Sequence, residues 1–179
     1  KGRHGNKGTR IAETPSGVLN CIGLENPGAE HFVSDVLPTL AKYDVPLLAN
    51  MSASTVEEFA WMAEILSVPG ISGLEVNVSC PNVECEGMAF GVNPKVVEEV
   101  TKAVRKETNL PVIVKLSPNV TDIVEIAKAV EAGGGDGVSL INTLLGMAIN
   151  IHTRKPVLGN TYGGLSGPAV KPVALRMVN

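Results

Sequence analysis

Short apolar segments recur about every 30 residues along the chain, and stretches with helical spacing lie between them. The predicted strands are centred near positions 20, 47, 76, 113 and 139. A strand and a helix that repeat at this interval are typical of βαβ units. Because the strands are mainly apolar, they are expected to be buried on both faces, as in parallel sheets. We therefore predict an α/β fold with about five βα units, either a barrel or an open doubly wound sheet.

Length and composition exclude several other classes. The chain has 179 residues, which is enough for one domain, whereas an eight-fold barrel needs roughly 250 residues. A net charge of −3 without a basic cluster argues against nucleic acid as a partner. No apolar run approaches the roughly 18 residues of a membrane span, and no signal peptide opens the chain. The three cysteines lack metal-ligand spacing and indicate free thiols in a reducing compartment, so we expect a cytoplasmic protein without a metal.

Local signals predict where the elements begin and end. Residues 1–16 lack periodicity and are predicted to be a loop, whereas residues 29–42 are predicted to form a helix that Pro38 weakens or kinks. Residues 54–57 match a capping box, which predicts a helix start at Ser54. The other predicted boundaries are helix starts at Asn93-Pro94, Thr121 and Pro172, a helix end at Gly133, and a hairpin within residues 148–164.

Polar or charged residues lie at the carboxyl end of every predicted strand. They are Asn20, Asn50, Asn77 with Cys80, Lys115, and Asn142. One such residue would carry no information, but five in register indicate a single site built from successive loops. The densest group is Asn77–Asn82, which places a thiol, a hydroxyl and two carboxamides at the end of the strand Leu74–Val78. A lone cysteine is more often structural, but these carboxamides suit a flat polar ligand.

Lys115 is the most informative of these residues because it lies in an otherwise apolar strand, Pro111–Leu116. A lysine there is costly unless its charge meets an anion or an electron-rich cofactor. The alternative is a lysine at the rim of the sheet that pairs with a neighbouring carboxylate.

Several motifs, in their order along the chain, resemble those of the class 1 dihydroorotate dehydrogenases. They are Glu13-Thr14-Pro15, Asn20–Gly28, Asn77–Asn82 with Ala89-Phe90-Gly91, Val114–Asn119, Ile141–Thr143 and Gly163–Pro168. Gly-Leu-x-Asn-Pro-Gly and Ser-Gly-Pro-Ala-x-Lys-Pro are most similar to the 1B subfamily. The resemblance covers nearly the whole chain but only a middle portion of the family's subunit. We therefore expect residues 1–179 to be a single domain that lacks N- and C-terminal strands and is inactive by itself.

The resemblance implies a TIM (β/α)8 barrel with FMN, which oxidises dihydroorotate to orotate in de novo pyrimidine biosynthesis. Cys80 matches the family's catalytic base. The residues that match the substrate site are Asn20, Ile22, Gly23, Leu24, Asn77, Asn82, Asn142 and Thr143. The residues that match FMN contacts are Asn50, Asn77, Lys115, Ile141 and Gly167. Taken alone, Asn50 could equally cap a strand end, and Gly167 could be a turn glycine before Pro168.

The 1B resemblance also implies partners. It predicts a homodimer of catalytic subunits and a second subunit that carries FAD and a [2Fe–2S] cluster and passes electrons to NAD⁺. Two alternative functions stay open: a flavoenzyme similar to dihydropyrimidine dehydrogenase, and a catalytically incompetent barrel fragment. Asn82 after Cys80-Pro81 fits the orotate family better than the first alternative. Cys85 is the poorer candidate base because Glu84 and Glu86 flank it and disfavour its thiolate.

Overall fold

A computed structural model describes residues 2–79 and 90–179; Cys80, Asn82 and Cys85 lie outside the described residues. The strands are β1 (Ile11–Thr14), β2 (Gly17–Asn20), β3 (Leu48–Met51), β4 (Gly73–Asn77), β5 (Val112–Lys115), β6 (Gly137–Ser139), β7 (Leu144–Met147), β8 (Ile149–Asn150), β9 (Lys155–Pro156) and β10 (Tyr162–Ser166). The α-helices are α1 (Ala29–His31), α2 (Leu37–Leu40), α3 (Val56–Leu66), α4 (Pro94–Glu107), α5 (Ile123–Ala132) and α6 (Lys171–Val178). They form two compact units: a first unit within Lys1–Pro27 and Thr143–Asn179, and a second unit within Gly28–Asn142.

The second unit is built on a parallel sheet with the strand order β3-β4-β5-β6. Alternate strand residues, such as Leu74, Val76, Val112 and Val114, are fully buried in its core. The helices contribute the facing apolar residues Phe59, Ala63, Leu66, Val97, Val100, Val104, Ile126, Ala129 and Val130. The sequence prediction of a parallel α/β fold is therefore confirmed for this unit. The described strands form an open sheet and no closed barrel.

Side-chain caps fix the starts of the three long helices. Lys95 N–H donates to Asn93 Oδ1 at 3.0 Å, which confirms the predicted start of α4. Thr55, not Ser54, caps α3 by accepting from Glu58 N–H, and Asp122, not Thr121, caps α5. Each of these two predictions is wrong by one residue because neighbouring polar residues can both cap, and only the backbone conformation selects one of them. The predicted end of α5 at Gly133 is confirmed.

The predicted interruption at Pro38 is also present. Residues Phe32–Val36 form a π-helical segment between α1 and α2, and the helical stretch ends at Leu40. Pro38 has no N–H to donate to the preceding turn, so a regular α-helical hydrogen bond is missing there. The wider π-helical turn lies directly before it, as is common where a helix accommodates an extra residue.

The first unit corrects two sequence predictions. Residues 11–14 are not part of a loop, because β1 forms a hairpin with β2 through the turn at Pro15-Ser16. The strand near position 20 is not a parallel βα strand, because β2 pairs antiparallel with both β1 and β10 in a sheet of order β1-β2-β10-β7. Within residues 2–79 and 90–179, the parallel strands therefore number four rather than five. The predicted hairpin is present as β8 and β9, and the final helix as α6.

The cap of α5 offers a sensitive test of the helix boundary. We expect Asp122→Ala to lower the free energy of unfolding by about 1 kcal/mol, because it removes the acceptor that Val124 N–H meets at 2.8 Å. Thr121→Ala is the matched control and should change it by less than about 0.5 kcal/mol. Urea unfolding of the full-length variants measures both changes in the free energy of unfolding. A larger loss for Thr121→Ala would mean that Thr121, as predicted from the sequence, caps the helix.

Candidate functional site

The parallel sheet has a polar face, which we define by Asn50, Glu75, Asn77, Lys115 and Ser139. On β3, β4 and β5 these residues alternate with the buried residues that face the helices, so they project from the opposite face of the sheet. Ser139 on β6 joins them through its hydrogen bond to Glu75. The parallel register places Asn50 beside Glu75, Asn77 beside Lys115, and Lys115 beside Ser139. Polar groups from four successive strands therefore share one surface near the carboxyl ends of the strands.

Glu75 connects several members of the polar face. Its Oε2 accepts a hydrogen bond from Asn50 Nδ2 at 2.5 Å, and its Oε1 accepts one from Ser139 Oγ at 2.7 Å. The sequence analysis did not single out Glu75 or Ser139. The available signal was the strand periodicity, because Glu75 lies two residues before Asn77 in an otherwise apolar strand.

Lys115 has no carboxylate partner within the part of the chain that the structure describes. It ends β5 and is partly exposed, with its neighbours Ile113 and Val114 in the apolar strand. The alternative of an ion-paired lysine at the rim is therefore not observed among these residues. The arrangement leaves a positive charge available to a ligand.

Asn77 and Asn142 hold the segment that leads into Cys80. The side chain of Asn77 is only 6% exposed, and its Oδ1 accepts hydrogen bonds from the N–H and Oγ of Ser79 at 3.1 and 2.6 Å. Asn142 Nδ2 donates to the Ser79 carbonyl at 3.0 Å. Since two donors occupy Asn77 Oδ1, the amide nitrogen of Asn77 is the atom left to contact a ligand.

Residues predicted to bind substrate also lie in the first unit, and Asn20 and Thr143 come together there. Asn20 ends β2 and pairs with Gly164 of β10. A Cβ built on Gly164 would lie 2.0 Å from Thr143 Oγ1, so Thr143 packs directly on that glycine. The strands thus bring two of the predicted substrate contacts to one place.

A tight turn carries the other predicted residues of this unit, Ile22, Gly23 and Leu24. Gly23 and Leu24 both have positive φ, at 80° and 54°. The Asn6 side chain packs against the turn and donates from Nδ2 to the Cys21 carbonyl at 2.9 Å, and Asn6 N–H donates to the Ile22 carbonyl. A Cβ at Gly23 would lie 2.9 Å from Asn6, so this position needs glycine both for its backbone angle and for space. Asn6 is a supporting residue that the sequence analysis missed.

The remaining predicted residues divide as follows. Gly167 lies in the first unit with φ of 105°, and a Cβ there would lie 2.8 Å from Gly17, so a conformation restricted to glycine follows β10. Ile141 follows β6 in the second unit and is partly buried. Cys80 and Asn82 fall outside the described residues.

Chemically, the polar face combines carboxamides, a hydroxyl, one carboxylate and one unpaired cation. Such a set suits a planar ligand with several hydrogen-bonding groups and electron-rich or anionic character. Within the described residues, no group of three or more His, Cys, Asp and Glu side chains could hold a metal ion. No helix in residues 2–79 and 90–179 is long and apolar enough to cross a membrane.

The chain is similar in sequence to the catalytic subunits of known dihydroorotate dehydrogenases. The catalytic subunit of dihydroorotate dehydrogenase B (NAD(+)) from Anoxybacillus flavithermus is 55% identical over 177 residues, and that from Alkaliphilus oremlandii is 59% identical over 174. These alignments cover 98% and 97% of this chain but only 57% and 58% of those proteins. The chain therefore spans less than two thirds of the length of these relatives.

Among solved structures, a Rhizobium etli pyruvate carboxylase aligns with a TM-score of 0.46 and 16% identity, over 59% of this chain and 11% of that chain, a likeness too low to bear on the fold. The model of the dihydroorotate dehydrogenase family, in contrast, matches residues 1–179. Because that match extends over every residue of the sequence, the chain belongs to the dihydroorotate dehydrogenase family.

Proposed function

We propose that the full-length protein oxidises dihydroorotate to orotate with FMN in pyrimidine biosynthesis. The observation that carries the proposal is the register pairing of Asn77 with Lys115 on the polar face. Asn77 lies three residues before Cys80 in the sequence. The pairing places the buried carboxamide of Asn77 beside the charge of Lys115, which has no carboxylate partner among the described residues. The family model matches the chain over all of its residues. We further propose a TIM (β/α)8 barrel in which residues 1–179 are the middle portion of a single domain.

The polar face fits FMN. Lys115 offers a positive charge, which favours an electron-rich ring, and Asn50 and Asn77 offer carboxamides on the same face. Ser52 follows β3, and its buried hydroxyl has no hydrogen-bond partner among the described residues, as expected for a group that meets a ligand. Ile141 and Gly167 complete the proposed FMN contacts. When bound, FMN would accept a hydride from the substrate.

The proposed substrate contacts have their own chemistry. Oxidation of dihydroorotate removes a proton from C5 and a hydride from C6, and the Cys80 thiolate would take the proton as general base. Carboxamides can match both edges of a uracil-like ring without adding net charge. The residues that would orient the ring are Asn20, Ile22, Gly23, Leu24, Asn77, Asn82, Asn142 and Thr143.

Partners follow from the relatives. Their description as catalytic subunits of a dihydroorotate dehydrogenase B implies a second subunit in those proteins. We propose for this protein a homodimer of catalytic subunits, together with a subunit that carries FAD and a [2Fe–2S] cluster. Electrons would leave through that subunit to NAD⁺.

The function is tested by anaerobic reduction of the purified full-length protein. We expect a yellow protein whose flavin absorption bleaches on addition of dihydroorotate, while dihydrouracil has no such effect. Orotate appears in the same mixture in an amount equal to the flavin reduced, since one hydride is transferred per molecule oxidised. A colourless protein would contradict the proposal, and bleaching by dihydrouracil alone would favour the dihydropyrimidine dehydrogenase-like alternative.

Lys115→Met tests the proposed cofactor contact. It keeps the length of the side chain and removes its charge, so we expect the Kd for FMN to rise about 10-fold or more, the scale of a charge-assisted hydrogen bond. Lys128→Met, on the exposed side of α5, is the matched control and should leave the Kd unchanged. Titration of apoprotein with FMN, followed by flavin fluorescence, measures both values. Equal affinities in the two variants would remove Lys115 from the cofactor site.

A further inference from the structure

Glu75 connects strands on both sides of its own. It lies on β4, and its two carboxylate oxygens accept from Asn50 on β3 and from Ser139 on β6. Strand β5 lies between β4 and β6, so the contact with Ser139 passes over β5 on the polar face. Asn50 is a proposed cofactor contact, whereas neither Glu75 nor Ser139 has a role in the reaction described above.

A carboxylate can only accept hydrogen bonds, and this property orients both of its partners. Asn50 must turn Nδ2 toward Glu75, so its Oδ1 is the atom presented elsewhere. Ser139 must direct its hydroxyl proton toward Glu75, so both lone pairs of its oxygen stay available to accept. Glu75 thereby makes acceptors of two groups that could otherwise have donated.

Glu75 also leaves the nearby lysine charge available. Ser139 pairs in register with Lys115, and Glu75 lies two residues before Asn77, the register partner of Lys115 on β4. Glu75 and Lys115 nevertheless form no ion pair, and each oxygen of Glu75 already has a donor. The polar face therefore shows two oriented acceptors and one cation that no described carboxylate neutralises.

We propose that Glu75 is a positioning residue for the flavin: it holds Asn50 Oδ1 ready to accept from a ring N–H while Lys115 stays free for the electron-rich part of the ring. The inference rests on the proposed function, because it takes FMN as the ligand of this face. A purely structural role for Glu75 makes a different prediction. In that case its loss would lower the stability of the protein without changing the FMN affinity of the folded molecules.

Glu75→Gln separates the two roles. Glutamine keeps the shape and can still bond to both neighbours, but its amide must donate to one of them and so reverses the orientation of Asn50 or Ser139. We expect the unfolding midpoint of the full-length apoprotein to stay close to that of the parent. The Kd for FMN should rise about 10-fold, and the visible absorption bands of the bound flavin should shift. Glu131→Gln, on the exposed surface of α5, is the matched control with no expected effect on the Kd.

A double-mutant cycle tests whether Glu75 acts through Asn50. In an Asn50→Ala background, Glu75→Gln should raise the Kd by much less than in the parent, because the oriented group is already absent. Full additivity of the two changes, or a parental Kd in Glu75→Gln, would overturn the proposal. If Glu75→Gln does not fold, Ser139→Ala decides: a Kd about 3-fold higher supports the proposal, and a parental Kd refutes it. A parent protein that binds no FMN would instead refute the proposed function.

Discussion

Cys80→Ser is expected to slow the reduction of bound FMN by dihydroorotate about 10²-fold or more, the usual scale for the loss of a general base. A serine hydroxyl has a far higher pKa than a thiol, so it is a much weaker acceptor for the C5 proton at neutral pH. Cys80 directly follows Ser79, whose backbone Asn77 and Asn142 hold from two sides. Anaerobic stopped-flow mixing of the full-length protein with dihydroorotate measures the rate.

Cys85→Ser is the matched control for this experiment. It makes the same chemical change five residues later, where Glu84 and Glu86 are expected from the sequence to disfavour a thiolate, and it should leave the rate close to that of the parent. Both variants should retain FMN, because neither cysteine belongs to the proposed cofactor contacts. A slow Cys85→Ser variant together with a fast Cys80→Ser variant would exchange the two assignments.

Phe59→Ala is expected to lower the free energy of unfolding by about 3–5 kcal/mol. Phe59 lies on α3, has no exposed surface, and is among the largest fully buried side chains of the second unit. Its ring contacts Phe90 edge to face, with centroids 5.9 Å apart and planes inclined at 77°. Truncation would remove this contact and leave a cavity that the surrounding helices and strands cannot fully close.

Trp61→Ala provides the comparison on the same helix. Trp61 is 38% exposed, so truncation removes a large aromatic side chain from the partly solvated side of α3. We expect a loss of about 1 kcal/mol, well below that of Phe59→Ala. Urea unfolding of the full-length variants, followed by circular dichroism, measures both. Similar losses would mean that the core of the second unit adapts to the smaller side chain.

The elements that the sequence predicted well are those whose apolar spacing is locally complete. The helices α3, α4 and α5 each present an apolar stripe, and the strands β4 and β5 are short apolar runs with clear boundaries. The antiparallel sheet was missed because its pairing joins distant segments: β2 pairs with β10, about 145 residues later in the chain. The strand Tyr162–Ser166 also contains two glycines and no β-branched residue, so its composition only weakly indicates a strand.

In the candidate site, too, local sequence features were predicted and contacts between distant strands were not. Asn77 and Lys115 could be found from sequence because polar residues are conspicuous in apolar strands. Glu75 is equally polar, yet its role depends on contacts with β3 and β6, which only the sheet order reveals. Periodicity identifies which residues share a face, but it does not show which of them form hydrogen bonds with one another.

The alternation between core and polar face has a consequence for how these strands can change during evolution. Val114 and Lys115 are adjacent in sequence, yet one is fully buried against the helices and the other projects from the polar face. Insertion of a single residue before them within β5 would exchange the two faces, placing a lysine in the core and a valine among the ligand-binding groups. An insertion within β4 before Val76 and Asn77 would exchange the faces of these two residues in the same way. We therefore expect natural length variation in this family to fall in the loops between strands and helices, while β4 and β5 tolerate substitutions but neither insertions nor deletions.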